Sequence, residues 1–294
     1  MGLVSFVLVV AESGLALGGV TAFVSLVPVA LAVVLGGRLG GAVVVGVALG
    51  GTAALVGGPA VTVVACRHAA PGLALGLVLA RRLTLPVCLL VVSLTGAAGL
   101  AAVVSGHLPA GVSLLGFLER RIDAHVADLE RLPAVFRLSD DPAWMTESAR
   151  LVGGLLRRAA PAVLLVGLLV MALANYVVAR LCLRGRGFRP FAEEAVPDHL
   201  VWGVIAGGAM LLVEGDLVTF IGLNLLIVLV PPYAIQGLAV LRHFFQKAGL
   251  PRPIQGMSFG LFALQPILLV LAACLGLSDL WVDFRKIRRA ATPA

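Results

Sequence analysis

Glu12 is the sole carboxylate among the first 118 residues, set inside an apolar run from Leu3 to Gly37. A carboxylate in lipid costs roughly 2.5–3.5 kcal/mol on insertion scales. Such a group is protonated, paired or turned to a wet cavity, unless it marks an interface where the first helix turns. Farther along, Asn175, Asn224, Gln236 and Gln265 are amides within apolar segments. Each makes an interhelical hydrogen bond, worth about 0.6 kcal/mol on average, or lines a pocket. Glu12, Asn224 and Gln236 are the candidate ligand-binding residues. Asn224 and Gln236 are twelve residues apart, about 3.3 turns, which puts them about 120° apart on a straight helix. A break at Pro231 and Pro232 would be needed to turn both toward one cavity.

Catalytic patterns do not accompany these groups. There is no phosphate loop, no G-x-S-x-G elbow and no H-E-x-x-H, and no nucleophile pairs with a base, so the expectation is a protein that is not an enzyme. His68, His107, His125, His199 and His243 are dispersed, and no metal site or cofactor is expected. Cys66, Cys88, Cys182 and Cys274 stand singly and read as buried structural thiols. Asp140 and Asp141 form a carboxylate pair whose ordinary role is a helix cap.

The elements that would carry these residues are membrane spans. The chain is 60% hydrophobic and 13% charged, and its long apolar runs suit helices of about 20 residues crossing a core of roughly 30 Å. The expected fold is all-α, a polytopic transmembrane bundle of six to eight spans in a single integral membrane domain, 1–294. Its parts are Gly-rich helices over 1–105, an extramembrane insertion over 106–158, and helices with a basic tail over 159–294. The first run is too long for one helix and divides into two spans, the second ending at Gly37 with Pro28 inside it. A third follows Arg38 to Cys66. The segment 69–80, bracketed by Arg67–His68 and Arg81–Arg82, is too short to cross and reads as a half-helix or re-entrant piece.

Between 106 and 158, Leu114, Leu118, Ile122, Val126 and Leu129 recur at helical spacing among balanced charges, which predicts an amphipathic helix ended by Pro133 and a second opened at Asp141–Pro142. The next full span after the short segment is 83–105, and the later apolar segments are 159–178, 199–213, 217–241 (broken at its prolines) and 254–277. The net charge of +7 collects at segment ends, as a topology signal does, and nucleic acid is not an expected partner. With the N-terminus outside, the arginines of 180–197 lie in the cytoplasm and 106–158 faces out. The tail then falls on the wrong side, so either one segment re-enters without crossing or the tail is an exception to the rule. Asp283 is placed to hold Arg285 against the bundle.

Glycines four apart recur at Gly14 and Gly18, Gly36 and Gly40, Gly46 and Gly50, Gly72 and Gly76, and Gly203 and Gly207. Small residues at this spacing let helices approach closely in lipid. They pack the bundle, or they form a docking face for a partner; Gly14, Gly18, Gly46 and Gly50 are the candidates for the latter.

The C-terminal third holds Phe188, Pro190, Phe191, Val196-Pro197-Asp198, Val201-Trp202 and Ile221-Gly222-Leu223-Asn224-Leu225-Leu226. Tyr233, Gln236-Gly237-Leu238-Ala239-Val240, Gly276-Leu277-Ser278-Asp279, Trp281 and Asp283-Phe284-Arg285-Lys286 follow. This resembles the YybS-like family of bacterial predicted membrane proteins, a family of unknown function. That family is in turn similar in fold to the substrate-binding S components of energy-coupling-factor vitamin transporters. The resemblance implies a multi-pass protein of the bacterial inner membrane, a small-molecule-binding or transport subunit in contact with the lipid bilayer and a membrane-protein partner. The alternative is a membrane scaffold or assembly factor that binds a protein through 106–158 or the basic tail.

Overall fold

Prolines open most of the helices, because the first turn needs no N–H from them and their fixed φ suits it. A computed structural model describes residues 24–106 and 157–286, with a few positions between (108, 111–113, 116–117, 120, 123–124, 151 and 153–155). Pro28 stands in the first turn of the helical stretch Val27–Leu55, Pro59 in Gly58–Val64, Pro71 in Ala70–Ala80 and Pro86 in Leu85–Ser105. The same holds for Ala160–Cys182, Arg252–Leu264 and Pro266–Val282. Pro28 therefore starts a helix and does not kink the inside of one. Five helical stretches are long and apolar enough to cross a membrane: Val27–Leu55, Gly58–Ala80, Leu85–Ser105, Ala160–Cys182 and Asp216–Lys247. The protein is an all-α membrane bundle, and the described residues contain no strand.

The first stretch is two helices. Gly37 has φ 66° and ψ −161°, outside helical geometry, and a Cβ on Gly41 would meet Val33 Cγ2 at 2.5 Å. Eight residues along one helix would separate them by about 12 Å. The chain therefore reverses at Gly37, giving α1 (27–36) and α2 (38–55), and of this first stretch only α2, about 27 Å long, can cross. Gly40, where a Cβ would come 2.6 Å from the Ala32 carbonyl oxygen, lets the two arms close.

A second departure lies in Gly58–Ala80. α3 (Gly58–Val64) and α4 (Ala70–Ala80) are joined by a π-helical turn, Ala65–Ala69. The expected boundary at Cys66 is absent: one span ends at Leu55 and the next runs unbroken through Arg67 and His68. The segment 69–80 is thus the second half of a full-length helix. The short helix is α1, about 15 Å long at 1.5 Å per residue.

α5 (Leu85–Ser105) runs antiparallel to α3–α4, and α6 (Ala160–Cys182) antiparallel to α5. Leu26, Leu75, Leu89, Leu169 and Tyr176 fill the core between these helices. Gly72 and Gly76 of α4 lie against Val29 and Val33 of α1, where a Cβ would come within 2.9 and 2.6 Å of those side chains. A second core of Leu229, Tyr233, Ala234, Ala272 and Ala273 joins α7 (Val201–Leu211), α8 (Asp216–Lys247) and α10 (Pro266–Val282). α7 and α8 meet through Gly207 and Gly222. The expected break at Pro231–Pro232 does not occur, and α8 is one helix of 32 residues, about 48 Å long.

α9 (Arg252–Leu264) and α10 are bent by 107°. Phe259 of α9 packs on Phe191 and Phe245, and Phe284 after α10 packs on Phe244, so the pair starts and finishes on one face of the bundle. This is a re-entrant segment. It returns Arg285 to the face of the arginine-rich connection 183–190, which removes the conflict between the tail and the charge rule. Most of 106–158 lies outside the described residues, as do Glu12, Gly14 and Gly18.

Candidate functional site

The π-turn follows from Pro71. A proline there has no N–H to offer the Arg67 carbonyl and would crowd it, so the regular ladder cannot pass through this point. One widened turn absorbs the mismatch, and such turns recur at functional sites. Gly99 of α5 sits against the widened turn, where a Cβ would be 2.1 Å from the Cys66 carbonyl oxygen. Only glycine permits that approach.

The turn carries Arg67 and the buried His68. His68 Nδ1 lies 3.2 Å from Ser25 Oγ, just before α1. The neighbouring Leu26 N–H donates to Asn175 Oδ1 of α6 at 3.0 Å, and Asn175 Nδ2 donates to the Met171 carbonyl. Asn175 thus caps the start of α1 from another helix. Ser25, Arg67, His68 and Asn175 line one cavity of about 120 Å³, walled by Leu168, Met171, Val92 and Gly96. The positive charge on this side of the cavity comes from Arg67, which is exposed, and from the partial charge at the start of α1, whereas the Leu26 and Val27 N–H groups and the Asn175 amide already have partners.

The sequence-derived amides do not meet. Asn224 Oδ1 accepts the Ala162 N–H at 2.9 Å, and its Nδ2 donates to the Arg158 and Phe220 carbonyls, tying α8 to the first turn of α6. Gln236 lies on the other part of α8, fully buried. Its Oε1 accepts the Val196 N–H at 2.7 Å, and its Nε2 donates to Asp279 Oδ2. Neither amide lines the cavity. Gly46 and Gly50 face outward on α2, and a Cβ added to either would have no atom within 4 Å. Gln265 sits at the bend between α9 and α10.

Gln236 belongs to a buried ionic knot. Asp279 pairs with Arg285 at 2.7 Å and also accepts the Phe284 N–H at 3.0 Å. Arg285 Nη1 donates to the carbonyls of Ala192 and Glu194 at 2.7 and 2.9 Å. Asp283 is the partner that sequence proximity suggests for Arg285. It instead adopts φ 49° and ψ 55°, and this left-handed turn folds Arg285 back on Asp279 one helical turn earlier. Glu194 accepts the Leu85 N–H at 2.6 Å, capping α5, and lies 3.8 Å from Arg180. Burial pushes the Glu194 carboxyl above the usual carboxylate range, although the Leu85 N–H and the guanidinium groups of Arg180, Arg189 and Arg285 pull the other way. Sequence reasoning missed Glu194, His68, Arg67 and Ser25 as site-forming residues; the one cue was a proline three residues after a histidine inside an apolar run.

The four cysteines are free. Cys88 is buried, but Cys182 and Cys274 are exposed on the bundle's outer surface, contrary to the expectation for buried thiols. Among the described residues no three His, Cys, Asp or Glu side chains come together as metal ligands.

The chain belongs to the family described as "Predicted membrane protein (DUF2232)", whose model matches residues 3–280. No curated protein and no solved structure matches it. It is an integral membrane protein.

Proposed function

We propose that this chain is a non-catalytic, small-molecule-binding membrane subunit that holds an anionic or acceptor-rich ligand in the cavity beside the π-turn. The observation that carries this reading is the convergence there of a helix start, a widened helical turn and the side chains of Ser25, Arg67, His68 and Asn175. Irregular backbone at membrane depth is tolerated where it is buried in protein or lines a cavity, and transporters commonly bind substrates at interrupted helices whose N-termini face anionic groups. Ionisable side chains within spans mark functional sites by default.

The cavity is close in size to one of 150 Å³ that takes up benzene, so the occupant is compact. If the resemblance to the YybS-like family extends to energy-coupling-factor S components, this reading adds a separate energising partner in the bacterial inner membrane. Mass spectrometry of small molecules that co-purify in mild detergent tests the proposal, comparing wild type with His68→Leu and with Gly96→Val. The second variant fills the cavity without touching its polar groups. Loss of a compound from both folded variants is expected, while Asn224→Leu retains it. An identical set of compounds in all four proteins would overturn the assignment.

A further inference from the structure

The connection after α6 carries Arg184, Arg186 and Arg189, and Arg180 stands one turn before it. Arg180 is fixed in place. Its guanidinium lies 5.6 Å from the Tyr176 ring centre and 5.1 Å from that of Phe188, and it donates to the Arg189 carbonyl at 2.9 Å. Arg82, between α4 and α5, donates to the Gly187 and Arg186 carbonyls at 3.3 and 3.2 Å. The loop is therefore pinned at its middle and its far end, with Gly185 and Gly187 at positive φ of 85° and 67°.

Between these fixed points is a concavity of about 260 Å³, lined by Arg180, Arg184, Arg186, Leu183, Phe188 and the two glycines. Its lining contains no carboxylate, and because Glu194 lies 3.8 Å from Arg180, the charges it offers outward are those of Arg184 and Arg186. Arg184 and Arg186 are exposed, and Arg81 stands exposed beside Arg82. The site lies at the ends of two helical stretches long and apolar enough to cross a membrane, Gly58–Ala80 and Ala160–Cys182, and the ends of spanning helices meet the headgroups.

We infer that this concavity binds the phosphodiester headgroup of an anionic phospholipid in the leaflet that it faces. Charge, depth and shape agree. Guanidinium groups recognise phosphate oxygens in paired hydrogen bonds, and basic pockets between spans on the cytoplasmic side hold anionic headgroups. Phe188, half-buried at the rim, gives the upper acyl region an apolar edge, while Leu183 beneath it belongs to the core. The proposal is independent of the intramembrane cavity, because none of its residues lines that cavity.

The test reconstitutes wild type, Arg184→Gln/Arg186→Gln and Arg184→Lys/Arg186→Lys into nanodiscs of phosphatidylcholine with a minor fraction of phosphatidylglycerol. Native mass spectrometry after release counts the lipids retained. Wild type is expected to retain phosphatidylglycerol in preference to phosphatidylcholine. The glutamine pair should lower that preference by about fivefold per arginine, the worth of one basic side chain at an anionic surface. The lysine pair should keep most of it, which separates lost charge from lost fold. Arg38→Gln, on the same face but outside the concavity, should leave it unchanged. An unchanged preference in the glutamine pair overturns the inference, and so does equal loss in the lysine pair. Displacement of the lipid by excess inorganic phosphate would also overturn it, assigning the site to a free anion.

Discussion

Replacing Arg285 by Met should be among the most damaging single changes in the described part of the chain. The side chains of Arg285 and Asp279 are 2% and 5% exposed, so neither charge is offset by water. Removing the guanidinium strands the Asp279 carboxylate and takes the donor from the Ala192 and Glu194 carbonyls. Breaking a buried pair from one side costs roughly 3–5 kcal/mol. Asp279→Asn should cost a similar amount, because its one amide oxygen can serve the Phe284 N–H or the Gln236 and Arg285 donors but not both sets, and the buried guanidinium loses its counter-charge. At about 2 °C per kcal/mol for a chain of this size, Arg285→Met should lower the melting temperature by roughly 6–10 °C. Thermal unfolding of monodisperse protein in mild detergent, followed by tryptophan emission, reads this directly. The double variant Arg285→Met/Asp279→Leu should lose less than the sum of its single changes, since neither charge is left alone. A shift below 2 °C for Arg285→Met, or strict additivity in the double variant, would refute the account of the knot.

Gly276→Ala should prevent assembly of α8 with α10, because the new Cβ would sit 2.0 Å from the Tyr233 carbonyl oxygen and backbone cannot step aside; yield of folded protein after size-exclusion chromatography checks it. Gly46→Ala and Gly50→Ala should leave the fold intact, as nothing lies within 4 Å of either, and loss of a co-purifying membrane protein from these variants alone would mark a docking face. The raised carboxyl of Glu194 has a sign that can be measured. Its folded form holds a proton more tightly than the unfolded chain, so this contribution to stability is present at low pH and is lost as pH rises through the folded value. Wild type should therefore gain melting temperature over Glu194→Gln on mild acidification, and parallel profiles would contradict it. In a background without native cysteines, Ser139→Cys should react with an impermeant reagent in intact cells and Gly187→Cys should not; the reverse would invert the orientation.

Class was legible because lipid imposes a coarse rule, long apolar runs with charges at their ends, and sequence displays that rule without ambiguity. The end of a helix at Gly37 was legible for a similar reason, since Arg38 follows it. Span boundaries within 58–80 were not. Arg67–His68 reads as a loop by its charge, yet His68 is buried and the helix passes through it by widening at the turn before Pro71. Pro231–Pro232 misled in the opposite sense, because two prolines in a sequence read as a break and α8 nonetheless stays helical across them. Partner choice was the least legible level. Asp283 is nearer Arg285 in sequence than Asp279 is, and only the left-handed turn at Asp283 decides between them.

The distribution of irregular backbone separates scaffold from site. The residues that carry the resemblance, among them Gln236, Gly237, Gly276, Asp279 and Arg285, bond or pack against one another on the arginine-loop face. Asp279 and Arg285 bond to each other and to loop carbonyls, and Gly237 and Gly276 each admit a neighbouring backbone. The start of α1, the reversal at Gly37 and the π-turn lie instead in the layer of α1 to α6. A motif rich in Asp, Arg and aromatic residues reads as functional when only sequence is in view, but such residues are also what fastens a connecting loop to helix ends in a low-dielectric setting. The less distinctive Ser25, Arg67, His68 and Asn175 surround open space. The α1–α5 layer is fastened by close glycine contacts at Gly72, Gly76 and Gly99 much as the α8–α10 pair is at Gly237 and Gly276, so what sets it apart is the open space beside the π-turn and not looser packing.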